Sequence, residues 1–228
     1  NLTIKIVRLS ESIGMPPATS PATLNFRRDW RTAFRAVRAL LSDPNDTVQV
    51  FRIMGALNGA ASRTGYHRLI KTPEGGALAY RREELVSKLT DRTWLAQFAP
   101  GTVGAAYRDF LDRTGYSADG LADVSKQDAK APDVAHPYAW FGRRTRAMHD
   151  IWHVLTGYQA DEPLGEVCLV AFSYAQTGGL GWAFIALSAV LKDLRKNGGR
   201  AIARAAWEGY RHGRKASWLA AEDVDSLF

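Results

Sequence analysis

His149 and His153 stand four residues apart, Asp150 follows His149 directly, and Glu166 lies beyond a short break at residues 157–163. On a helix, positions four apart share one face a turn apart, so the two imidazoles stack on the same side. Asp150, three positions before His153, reaches that side as well. The break holds Gly157 and Pro163, so the chain reverses there and Glu166 enters a second helix facing back toward the histidines. Two imidazoles and two carboxylates converging on one point form a ligand set suited to zinc or a similar divalent cation. Two core histidines satisfied by one carboxylate would give the same His-Asp-x-x-His pattern, and that spacing alone leaves both readings open. Glu166, a donor from a separate element, favours the metal. The pattern is not the His-Glu-x-x-His of metalloproteases, because the acid after His149 is the shorter Asp150. Arg146, one turn before His149, presents a guanidinium that either binds a substrate carboxylate or phosphate in bidentate fashion or rests in a surface salt bridge.

The elements that must hold these residues read as helices throughout. Pro137 suits the first turn of a helix running to about Tyr158, with Trp140, Met148, Trp152 and Leu155 inward. A second helix, Leu164 to about Gln176, carries Glu166, and a third runs from Leu180 to about Asn197. Residues 167–191 hold no charged side chain, but the glycines around Gly178 divide that run, so it is not one membrane span. The third helix is apolar nearly all round, as a central core helix or the wall of an apolar groove would be. In the groove reading Trp182, Ile185 and Leu187 line it, and Arg146 marks its polar end.

Upstream, Trp30, Phe34, Val37 and Leu41 form the buried stripe of a first helix whose arginines, Arg27, Arg28, Arg31, Arg35 and Arg38, lie largely off it. A solvated outer face is the simpler account, and a basic helix against an anionic membrane the alternative. Val48, Phe51, Met54 and Leu57 give a second stripe, Thr72 to Gly76 a loop, and Leu85 to Leu89 a short helix. A turn at Pro100 to Gly104 feeds a helix burying Tyr107, Phe110 and Leu111. Residues 117–133 read as the longest loop, and a last helix runs from Arg200 to about Leu219 ahead of an acidic tail. The expected fold is all-α, a single-domain bundle of about seven to nine helices over residues 24–228, preceded by a lead-in at 1–23.

Thirty Lys and Arg against 23 Asp and Glu give a net charge of +7, compatible with phosphate, anionic lipid or nucleic acid. No nucleic-acid recognition motif accompanies it, so nucleic acid is not an expected partner. The single cysteine, Cys168, rules out an intrachain disulfide framework. The first residues show no secretory signal pattern, so secretion is not expected.

Around His149-Asp150-x-x-His153 and Glu166 the chain resembles the coenzyme Q (ubiquinone) biosynthesis family named for the fourth COQ gene. That family's signature places eleven residues between the second histidine and the glutamate, and twelve stand here, the extra one falling in the Gln159 to Pro163 turn. Leu155-Thr-Gly, Leu164-Gly-Glu, Gln176-Thr-Gly and Pro100-Gly-Thr-Val-Gly with Tyr107 and Phe110-Leu-Asp extend the likeness over most of 24–228. The resemblance implies a dimeric, peripheral membrane protein that binds zinc through His149, Asp150, His153 and Glu166 and a polyprenyl chain in an apolar groove. It implies removal of the ring carboxyl from a polyprenylated hydroxybenzoate, coupled to hydroxylation at that carbon, and assembly with other quinone-biosynthesis proteins. The alternative is a non-catalytic scaffold that binds an isoprenoid lipid. The implied place is the cytoplasmic face of a bacterial inner membrane, or the matrix side of the mitochondrial one.

Overall fold

The computed structural model describes residues 27–43, 46–115, 136–197 and 200–228; the lead-in and the loop expected at 117–133 lie outside them. The described chain is all-α, with twelve α-helices, nine of them of seven residues or more, and no strands. In order they are α1 (Trp30–Ser42), α2 (Thr47–Leu57), α3 (Gly59–Leu69), α4 (Pro73–Arg81), α5 (Leu85–Leu89), α6 (Arg92–Leu95), α7 (Val103–Thr114), α8 (Pro137–Thr156), α9 (Pro163–Thr177), α10 (Leu180–Asn197), α11 (Arg200–Lys215) and α12 (Val224–Leu227). A 3-10 turn at Leu219–Ala221 precedes α12.

Capping chemistry sets many of these boundaries. Asp29, Thr72, Asp91 and Thr102 accept from backbone N–H groups in the first turns of α1, α4, α6 and α7. Gly115, Gly157 and Gly178 end α7, α8 and α9 in the left-handed conformation that a glycine adopts without strain. The expected loop at Thr72 to Gly76 is instead the start of α4. Its glycines suggest a loop, but Gly75 is there for space, since a Cβ on it would lie 2.1 Å from the Leu69 carbonyl oxygen. The single stretch expected after Thr47 divides at Asn58 into α2 and α3, and the last helix stops at Lys215. The acidic tail folds back, with Asp223 on Arg81 and Asp225 on Lys88. Buried Arg144 donates to the carbonyls of Ala220 and Glu222 and ties the tail to α8.

The main core gathers Leu69, Leu89, Leu95, Tyr107, Met148, Ile151, Trp152 and Leu169, so α8 lies at its centre with the histidines at one margin. Helix α11 lies closely along α9 because Gly209 and Gly213 present no side chain. A Cβ on Gly209 would lie 2.1 Å from the Cys168 carbonyl oxygen, and one on Gly213 2.7 Å from that of Phe172.

Two expectations about burial are corrected. Within α1, Val37 is buried, but Trp30 and Phe34 are 43% and 55% exposed and meet Phe184 of α10 edge-on. Helix α10 is not a central core helix, because Leu187, Leu191 and Leu194 face outward. The apolar period of each helix is real, yet the bundle covers only part of each stripe. No helix among the described residues is long and apolar enough to cross a membrane.

Candidate metal centre

Helices α8 and α9 run into and out of the turn at 157–162, which brings the last turns of one beside the first turn of the other. Glu166 faces back onto α8 as the spacing predicts. Its carboxylate oxygens lie 3.7 Å from Nε2 of His149 and 3.3 Å from Nε2 of His153. One donor atom from each of His149, His153 and Glu166 falls within 4.8 Å of the others. Ligands about 2.1 Å from a tetrahedral ion are separated by about 3.4 Å, so these spacings need little adjustment to close on one.

Each imidazole is held on its far side. His153 donates from Nδ1 to the carbonyl oxygen of Tyr158 at 2.8 Å. A carbonyl only accepts, so that nitrogen carries the proton and Nε2 is the one turned toward Glu166. The ring of Phe110 stacks on His153 with centroids 5.7 Å apart. His149 has Ser173 Oγ 3.4 Å from its Nδ1 and Trp182 stacked on its face. The result is a pair of oriented imidazoles opposed to a carboxylate, all acceptors unless protons or a cation intervene. The donor chemistry, two nitrogens and a carboxylate, fits zinc with at least one coordination position open.

Charge in the site follows from the same geometry. Burial works to raise the pKa of Glu166, but its hydrogen bonds to His149 and His153 outweigh that and hold the carboxyl well below the usual carboxylate range. Burial works to lower that of His149, and Glu166, with Asp150 adding, pushes it up instead. Asp150 behaves differently. Its own burial raises its pKa, with the two histidines opposing, and its carboxylate is not in the three-residue donor group. Asp150 is therefore brought into the field of the site but not among its converging donors.

The remaining expected site residues scatter. Arg146 lies with its guanidinium 5.5 Å from the Phe51 ring centroid, on α2. Trp182 is buried against His149, Ile185 packs with the cores that α10 shares with α1, α2 and α9, and Leu187 is 56% exposed. These three therefore do not line one surface. Tyr158, Phe110 and Ser173 also shape the site, and no spacing rule marks them, because each reaches a histidine through tertiary packing.

The family described as Coenzyme Q (ubiquinone) biosynthesis protein Coq4 matches residues 23–215. A protein of Pyrenophora tritici-repentis named ubiquinone biosynthesis protein coq4, mitochondrial, is 36% identical over 111 residues, which are 49% of this chain and 36% of that protein. Its namesake in Yarrowia lipolytica is 33% identical over 111 residues, 49% of this chain and 40% of its own length. The chain thus spans well under half the length of these relatives. A Nostoc punctiforme crystal structure, of a protein assigned to ubiquinone biosynthesis, superposes with a TM-score of 0.58 at 21% identity. It covers 88% of this chain and 92% of that one, and shows a shared fold.

Proposed function

Because this chain belongs to the coenzyme Q (ubiquinone) biosynthesis protein Coq4 family, we propose that it serves ubiquinone biosynthesis as a metal-dependent enzyme. The reaction is removal of the ring C1 carboxyl of a polyprenylated hydroxybenzoate, with or without hydroxylation at that carbon. The observation that carries this reading is the convergence of His149, His153 and Glu166 within 4.8 Å, with the His153 tautomer fixed from behind. These three residues would hold the ion, zinc by donor type, and Asp150 would tune their charge. A bound divalent cation supplies Lewis acidity toward a phenolate or carboxylate oxygen. The protein's own part is to orient both imidazoles, to wall the site with Trp182 and Phe110, and to keep Glu166 ionised. Arg146, one turn away along α8, is the nearest candidate on that helix for a substrate carboxylate, released from Phe51 as substrate enters. Replacing His149 and His153 by alanine should abolish both stoichiometric zinc, read by elemental analysis, and turnover of the polyprenylated ring. Full retention of both would overturn the proposal.

A second reading is favoured by a specific surface. Trp30, Phe34, Leu187, Leu191 and Leu194 leave a band of exposed apolar side chains on α1 and α10, beside exposed Arg31, Arg35 and Arg38. Aromatic and aliphatic groups flanked by arginine suit an anionic membrane surface, or the closure of a homodimer. In this reading the protein is a scaffold that presents an isoprenoid lipid to other quinone-biosynthesis proteins, without turnover of its own. The relatives' mitochondrial names favour the mitochondrial of the two expected places over the bacterial one. Salt-sensitive sedimentation with anionic vesicles, lost in Phe34→Ser, supports the membrane surface. A concentration-dependent change of mass by analytical ultracentrifugation, lost in the same variant, supports the dimer instead. Lipid binding without turnover in the unaltered protein would select the scaffold.

A further inference from the structure

We infer that Tyr158 and His212 are positioning residues that set the His153 imidazole for ligation, an inference that rests on the metal-centre reading above. The peptide carbonyl that fixes the His153 tautomer belongs to Tyr158, in the turn between the two ligand-bearing helices. Gly157, Gln159, Asp161 and Glu162 in that turn are exposed, so packing on all sides does not fix its path. Three contacts do. The N–H of Gly157 donates to the His153 carbonyl at 2.9 Å, closing α8. The Gln159 backbone lies against Gly165, where a Cβ would come within 2.2 Å of the Gln159 carbonyl oxygen, one residue before Glu166. The third contact is distant in sequence: the Tyr158 hydroxyl lies 2.6 Å from Nδ1 of His212 on α11, and the two rings are within 12° of parallel.

These contacts close a mechanical circuit. Helix α11 is seated on α9 through Gly209 and Gly213, and Gln176 of α9 donates to the Gly213 carbonyl at 2.8 Å. His212 therefore has a fixed position relative to the helix that carries Glu166. Through the Tyr158 side chain it holds the Tyr158 main chain, and through that carbonyl the proton on His153 Nδ1. The Tyr158 hydroxyl and the His212 Nδ1, 2.6 Å apart, share one hydrogen bond, and a hydroxyl can serve either nitrogen tautomer. Without the hydroxyl the turn has one anchor fewer, and His153 gains access to its other tautomer, whose Nε2 proton occupies the ligand position. Outer-shell partners of ligating histidines typically change metal affinity by about 10–100-fold. His212 acts through one further residue, so a change of about 10-fold is expected.

The test uses the full chain as Tyr158→Phe, His212→Ala and His212→Gln, the last keeping an acceptor for the Tyr158 hydroxyl. Zinc affinity is measured by competition with a chromophoric chelator. The His153 tautomer is read in the metal-free protein by long-range proton–nitrogen NMR. Tyr158→Phe and His212→Ala should mix the two tautomers and weaken zinc binding about 10-fold, while His212→Gln stays near the parent on both readouts. His212 is exposed, so its substitution leaves the fold intact even if Tyr158→Phe does not. An unchanged tautomer with unchanged zinc affinity in His212→Ala would overturn the inference. If the parent protein binds no zinc, the metal reading fails, and the tautomer arm still decides whether the clamp exists.

Discussion

The indole of Trp182 lies flat on the imidazole of His149, with ring centroids 5.0 Å apart and planes 6° from parallel. This contact joins α10 to the candidate metal centre on α8. Trp182 also packs with Val170, Ala171 and Ala186, so its ring is both a wall of the site and part of a core. Trp182→Ala should cost about 3–5 kcal/mol in urea denaturation, the usual range for emptying a large aromatic site. Trp182→Phe keeps an aromatic face for His149 and should retain zinc binding with a smaller loss of stability. Equal zinc affinity in both variants would show that the stack does not orient His149.

Asp150 separates a four-donor from a three-donor centre. Its carboxylate is coupled electrostatically to both histidines but is not among the converging atoms. Asp150→Asn should therefore keep stoichiometric zinc, whereas Glu166→Gln should weaken it by 10-fold or more, about what loss of a ligand's charge or hydrogen bonding entails. Isothermal titration on the two variants decides, and loss of zinc in Asp150→Asn would restore that residue to the ligand set.

The pH dependence of the metal-free protein follows from the opposite shifts at Glu166 and His149. The Glu166 pKa is depressed on folding, so its contribution is present above the ordinary 4.5 and is lost as pH falls toward the depressed value. The His149 pKa is raised, so its contribution is full below 6.5 and is lost as pH rises through the raised value. Thermal melts of metal-free protein should show the stabilisation from Glu166 and His149 greatest between 4.5 and 6.5 and declining above. Zinc should reverse the upper limb, because ligation requires unprotonated imidazoles, and its stabilising effect should grow with pH. A zinc effect independent of pH would argue against ligation by histidine.

Gly209 is where α11 meets α9 most closely. A methyl group there would face the Cys168 carbonyl oxygen at 2.1 Å, and backbone atoms do not rotate away as side chains do. Gly209→Ala should destabilise the protein by about 1–3 kcal/mol, measured by chemical denaturation. It should also weaken zinc binding, since displacing α11 carries His212 away from Tyr158. Gly55→Ala, at a helical glycine with nothing near the added atom, is the control and should be neutral to slightly stabilising.

The helical faces in the sequence were enough to place His149, His153 and Glu166 together. Four-residue spacing on one helix and a Gly-to-Pro reversal leave the next helix little freedom to face elsewhere, and the extra residue of the turn is absorbed where Gln159 rests on Gly165. Helices α5, α8, α9 and α10 fall close to their expected bounds because the prolines, glycines and apolar periods that mark them are local properties. Helix α4 was hidden because its two glycines look like a loop unless the nearness of Leu69 is known.

By itself, then, the sequence determined the all-α class, the two helices of the candidate site and the meeting of His149, His153 and Glu166, all set by interactions within a few residues. Tertiary structure alone decided which apolar stripes are covered, leaving Trp30, Phe34 and Leu187 outside. It alone left Asp150 out of the donor group and brought Trp182, Phe110, Tyr158 and, through Tyr158, His212 to bear on the two imidazoles. Periodicity states that a residue shares a face, whereas the choice of what meets that face depends on how whole helices cross, and here two glycines of α11 fix one of those crossings.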